Sequence, residues 1–195
     1  MEYLMTYGWA LLVIVIVIAV LLYINPFRAP EQCIFDNAGL YCERPILQVN
    51  GIVGNNQGTF QNVLSARITN GERRTITITG IACARGSARP IADSSQWGSF
   101  SIPAGVDLAS QETLELRDIV DINGGLHYAQ CITVPDKDPA TGALNLNVPL
   151  SFSDNLKLRP NEDFSGRLWI MYRFADEPVG APSKLVGANL VTRAQ

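Results

Sequence analysis

Two kinds of hydrophobic pattern divide the chain. From Leu4 to Ile24 no residue carries a formal charge and nearly all are apolar, with a β-branched run from Val13 to Ile18 at the centre. Beyond residue 45 apolar and polar residues instead alternate in short runs. The first pattern is too long for one strand, so it predicts a helix that is apolar on every side. Its 21 residues would rise about 31 Å at helical pitch, the thickness of a bilayer core. Asn25-Pro26 predicts a stop near Ile24, because the residue before a proline is pushed out of the α region.

The second pattern predicts β structure. Thr75 to Thr79 alternates strictly, with Ile76 and Ile78 on one face and threonines on the other. Leu64, Ala66 and Ile68 share one face of the run from Val63 to Thr69. Asn70-Gly71 between these runs reads as the turn of a hairpin, and Gly80 as a bulge that re-aims Ile81. Leu168, Ile170, Tyr172 and Phe174 alternate with Arg167, Trp169, Met171 and Arg173. Further strands are expected at 46–53, around Leu114 to Ile119, and at 185–192, with shorter ones at 132–134 and 148–152. The Gly-, Pro-, Ser- and Asp-rich stretches 84–110 and 135–147 read as surface loops. The expected fold is a long hydrophobic N-terminal α-helix followed by an all-β immunoglobulin-like sandwich head. The expected organisation is a helix over 1–25, a linker with a cysteine loop over 26–44, and the head over 45–195.

Charge removes one class of function. The net charge is −3, and the longest basic cluster is Arg73-Arg74, so nothing suggests nucleic-acid binding. The four cysteines, Cys33, Cys42, Cys83 and Cys131, form no C-x-x-C pair, and there is one histidine. That argues against a zinc site and for two disulfides in an oxidising compartment. Pairing Cys33 with Cys42, around Asn37-Ala38-Gly39, and Cys83 with Cys131, across distant strands, is favoured over the alternatives.

Little else offers chemistry. His127 stands alone, without a nucleophile elbow, and reads as structural or surface. Gly54 to Gly58 precedes a strand and not a helix, so it reads as a turn and not a phosphate cradle. Asp136, Asp138, Thr141 and Gly142 lack the spacing and closing glutamate of a calcium loop. Trp97 reads first as an aromatic packed over a sheet edge and second as a contact for sugar or another subunit. No N-x-[ST] sequon is present, and the threonine face at 75–79 reads as ordinary cross-strand pairing. No enzyme activity and no cofactor are expected.

The chain opens with Glu2, Tyr3, Leu4, Thr6, Tyr7, Gly8, Trp9 and Ala10, followed by the apolar run from Leu11 to Ile24. A cleaved secretory signal fits poorly, since no basic segment precedes the run and no A-x-A site follows. The pattern E-Y-L-x-T-Y-G-W-A before a long Leu/Val/Ile stretch resembles the N-terminus of archaeal type IV pilin-like proteins, those with class III signal peptides. The resemblance covers about 24 residues closely. In that family a basic leader ending in glycine is cut by a prepilin peptidase.

The resemblance implies that the helix spans the membrane before assembly and packs with other copies in a filament core afterwards. It implies that Glu2 pairs with a neighbouring subunit's N-terminal amine. Tyr3, Gly8 and Trp9 join Glu2 as the candidate assembly residues, with small side chains at Gly8 and Ala10 letting helices approach closely. The implied partners are further copies of the chain, a prepilin peptidase and a pilus assembly ATPase with its platform. The implied product is an extracellular filament on the cell surface, with the head exposed for adhesion or cell contact. The rival readings are a single-span anchored ectodomain that binds a ligand or surface partner, and a minor or pseudopilin subunit of a secretion apparatus.

Overall fold

The computed structural model describes residues 2–24, 31–37, 39–52, 59–93, 96–133, 138–139, 141–146, 158–178 and 181–195; within the N-terminal helix it describes the side chains of 7–21 and 23. The chain divides into two compact units, Met1–Pro30 and Glu31–Gln195.

The first unit holds helix α1, Glu2–Ile24. Its end coincides with the Asn25-Pro26 stop. The expected membrane-length helix is corrected, however. Among the described residues no helix is long and apolar enough to cross a membrane.

The second unit is built almost wholly from strands: β1 (Gln32–Phe35), β2 (Leu40–Ile52), β3 (Thr59–Asn70), β4 (Ile76–Arg85), β5 (Ser101–Leu108), β6 (Thr113–Glu115), β7 (Ile119–Val120), β8 (Leu126–His127), β9 (Cys131–Ile132), β10 (Asp163–Phe174) and β11 (Lys184–Arg193). One short 3-10 turn, Gly98–Phe100, precedes β5. The candidate strand at 148–152 and the turn at 54–58 lie outside the described residues.

These strands do not make the expected immunoglobulin-like sandwich. The largest sheet has six strands in the order β1-β11-β10-β4-β5, with β9 also on β4; the others have three (β2-β3-β6) and two (β7-β8). β10 runs antiparallel along one edge of β4, while β5 and β9 divide the other edge, and β9 is parallel to β4.

The reason lies in the central strands. Ile81, Cys83, Leu168 and Ile170 belong to a core shared with Leu47, Leu64, Ala66 and Ile68 of the three-stranded sheet. Ala82, Ala84, Trp169 and Met171 belong to a second apolar cluster with Trp97, Phe100, Leu144 and Leu146. Over residues 81–84 of β4 and 168–171 of β10 both alternating sets are therefore apolar and buried. A sheet covered on both faces reads as a continuous hydrophobic run, unlike the half-wet sheets of a simple sandwich.

The expected hairpin at Asn70-Gly71 is also corrected. β3 pairs with β2 and β6, whereas β4 pairs with β10, β5 and β9, so the turn carries the chain from one sheet to another. The fully buried Asn70 explains the crossing. Its Nδ2 donates to the carbonyls of Arg74 (2.9 Å), Leu108 (2.9 Å) and Ala109 (3.1 Å), and its Oδ1 accepts from Glu72 N–H (2.9 Å). Backbone groups that leave a ladder at a sheet-to-sheet crossing need such partners.

The stretch 84–110, expected as loop, contains β5 and the Gly98–Phe100 turn. The bulge expected near Gly80 is present, as a register shift between Ile78 and Gly80 against β5. The C-terminus closes the unit: Gln195 N–H donates to Leu47 O (2.8 Å), and Gln195 O accepts from Val49 N–H (3.0 Å).

Candidate functional site

The outer surface of α1 is the most unusual chemical feature of the chain. A helix in water places polar residues on at least one face. Here thirteen large apolar side chains are exposed, from Tyr7 and Trp9 through the Leu, Val and Ile run to Tyr23. Covering them would recover roughly 10–20 kcal/mol of hydrophobic burial. That is comparable with the whole stability of an ordinary domain, roughly 5–15 kcal/mol. The surface therefore demands an apolar partner.

Of the candidate assembly residues, Trp9 is 66% exposed. Among the described residues, a Cβ added at Gly8 would meet nothing within 4 Å. Its bare backbone is available to a neighbour, as in helix pairs that approach through small residues. Glu2 and Tyr3 lie on the helix, and their side chains fall outside the described ones.

The cysteines form two disulfides, Cys33–Cys42 and Cys83–Cys131. The first ties the edge strand β1 to β2 of the other sheet. The second joins register partners on β4 and β9, which fastens a two-residue strand that few ladder bonds hold. Both therefore secure elements with little pairing of their own.

His127 is structural. Its Nε2 lies 2.9 Å from Asp121 Oδ2, and the two side chains are 24% and 9% exposed. Asp121 Oδ1 accepts from the N–H groups of Asn123 (2.9 Å) and Gly125 (2.7 Å). The hydrogen bond from His127, then those from Gly125 and Asn123, hold this carboxyl below its usual range. Together the pair closes the β7–β8 hairpin around Asn123-Gly124. Asp121 was not singled out from the sequence, although D-x-N-G-G is a recognisable Asx-turn pattern.

Trp97 is 1% exposed, with its Nε1 donating to Ile91 O at 2.8 Å. Its ring lies over Gly80, where a Cβ would come within 2.8 Å of Cε3. It is a packing residue and presents no face to a sugar.

Asp138 and Thr141 bond to each other (2.7 Å) within a turn closed by Gly142 N–H on Asp138 O (2.8 Å). Asp136 lies outside the described residues. Among the described residues no group of three or more His, Cys, Asp or Glu could hold a metal ion. No family model, no curated protein and no solved structure matches the chain.

Proposed function

We propose that this chain is a structural subunit of an extracellular filament of the type IV pilin-like kind, in which copies associate through α1. The observation that carries the reading is the apolar surface of α1, exposed all round and lacking a polar face. Association with further copies covers all sides of such a helix, whereas a single groove on one partner covers only one. The bare Gly8 is open to close approach. The N-terminal residues Glu2 to Ala10 resemble the corresponding segment of archaeal type IV pilin-like proteins. Two disulfides suit a unit that works outside the cell. In this reading the β-rich unit is the part that meets other surfaces.

The test is assembly of Gly8→Leu and Glu2→Ala variants, followed by sedimentation of shed material. Leucine is a better helix former than glycine, so the first change leaves α1 intact and obstructs only close approach. Both variants should lose most of their sedimenting material while keeping native circular dichroism. Wild-type assembly by both would overturn the reading.

A further inference from the structure

A pull between α1 and the β unit enters that unit through β1, because β1 is the first strand after the helix and the chain joins them in that order. β1 is poorly built to resist it. The strand has four residues, stands at the edge of the six-stranded sheet and pairs there with β11. Of its side chains only Cys33 is buried. If β1 were peeled away, the edge of β11 would stand open, and an open strand edge invites pairing with other chains.

β2 is built the other way. Its 13 residues pair with β3 from Leu40 to Ile52. Its backbone also bonds to Gln195, through Leu47 O and Val49 N–H. Thr192 Oγ1 donates to Pro45 O at 2.8 Å. Leu40, Leu47 and Val49 lie in the core. β2 is therefore anchored by side chains as well as by its ladder.

The Cys33–Cys42 disulfide links these two strands near the start of each. Only Gln32 of β1 precedes it. A covalent bond outlasts hydrogen bonds that break one at a time, so tension that reaches Cys33 passes directly to Cys42. The cysteines are 9 residues apart in sequence, while their Cα atoms are 5.5 Å apart. Stretched out, that segment would span about 30 Å, so the bond withholds about 25 Å of extension.

We propose that Cys33–Cys42 is a mechanical shunt, which carries tension from α1 into β2 and keeps β1 and the segment up to Cys42 out of the load path. Its use rests on the filament reading above, in which α1 is held while the β unit meets other surfaces; the shunt itself is a property of the single chain.

The test is optical-tweezer extension of the full chain, kept unassembled in detergent. DNA handles are attached at Glu31→p-azidophenylalanine and Ser110→p-azidophenylalanine, both exposed positions. This placement leaves α1 and the C-terminus unloaded. In that background Cys33→Ala/Cys42→Ala should show an early step of about 25 Å before the main unfolding, and the disulfide-bonded chain should lack it. A bond that merely stabilises the fold would lower the unfolding force without adding such a step.

Ile34→Pro supplies the second arm. Asp36 N–H donates to Gly187 O, so by the alternation of an antiparallel ladder Ile34 also turns its N–H to β11, and proline removes that bond. This variant keeps both cysteines. Its first unfolding force should equal that of the unsubstituted chain, because β1 carries no tension. Absence of the early step in the cysteine variant, or a lower first force in Ile34→Pro, would overturn the proposal. If the cysteine variant does not fold, the force in Ile34→Pro decides. Because single unassembled chains are pulled, such a failure leaves the filament reading untouched, and failed assembly leaves the shunt untouched.

Discussion

The Nε2 of His127 sits 2.9 Å from Asp121 Oδ2, and the other oxygen of that carboxylate caps the turn between them through two backbone N–H groups. One aspartate therefore organises the whole β7–β8 hairpin. These bonds lower its pKa in the folded chain, while the unfolded value stays near about 3.9. Below that value the unfolded chain binds more protons, so the stabilisation is complete above about pH 4–5 and is lost as pH falls through the folded value. Asp176, held low by Arg74, and Glu162, held low by the Arg159 N–H and then by Arg85, add to the same acid loss. Thermal unfolding followed from pH 7 to pH 2 should show Tm falling on the acid side, and Asp121→Asn should flatten that fall. Identical acid limbs in the two proteins would contradict this role for Asp121.

The two N–H groups of the Asn70 amide are shared among three carbonyls and its oxygen accepts from Glu72 N–H, with no exposure to water. Asn70→Ala leaves those groups unpaired where the chain changes sheet. Urea denaturation should show a loss of about 2–4 kcal/mol. Asn70→Asp should be at least as harmful, because a carboxylate cannot donate to carbonyl oxygens.

Gly80 lies under the Trp97 ring. Gly80→Ala forces the indole out of the second apolar cluster, at a cost of about 1–3 kcal/mol. The check is tryptophan fluorescence together with urea denaturation. A red-shifted emission with lower stability is expected, and an unchanged spectrum would count against the packing described.

The two disulfides should differ in effect. Cys83 and Cys131 are separated by 48 residues and Cys33 and Cys42 by 9. By loop-closure entropy the first contributes about 4 kcal/mol and the second about 3 kcal/mol. Paired Cys→Ala variants compared by chemical denaturation should follow that order. Loss of the first pair should also free β9, seen as faster amide exchange at Ile132.

Much of the β unit could be read from local pattern. The run at 63–69, all but the first residue of the run at 75–79, and the alternation at 167–174 are strands, because alternation is the direct image of the pleat. The favoured cysteine pairing is the one present. Pairing between strands was less legible. Asn70-Gly71 carries a hairpin signal, yet the buried amide directs the chain to another sheet, a long-range effect with no local mark. The burial of both faces of β10 was present in Trp169 and Met171, which stand between Leu168, Ile170 and Tyr172 as further apolar residues. The Asp36–Arg167 pair over Trp169 was not legible, because it is formed only by the strand order β1-β11-β10. At α1 the reverse holds. Its apolar surface is explicit in the sequence, and the structure adds that among the described residues nothing lies within 4 Å of the space a Cβ at Gly8 would take.

The central claim is that copies of this chain associate through α1 into a filament. Its most direct test is electron microscopy of material sheared from intact cells and kept free of detergent, with mass spectrometry of the same sample. The account predicts thin, regular filaments with this chain as their main protein. Sheared material without filaments, or filaments in which this chain is absent, would contradict it.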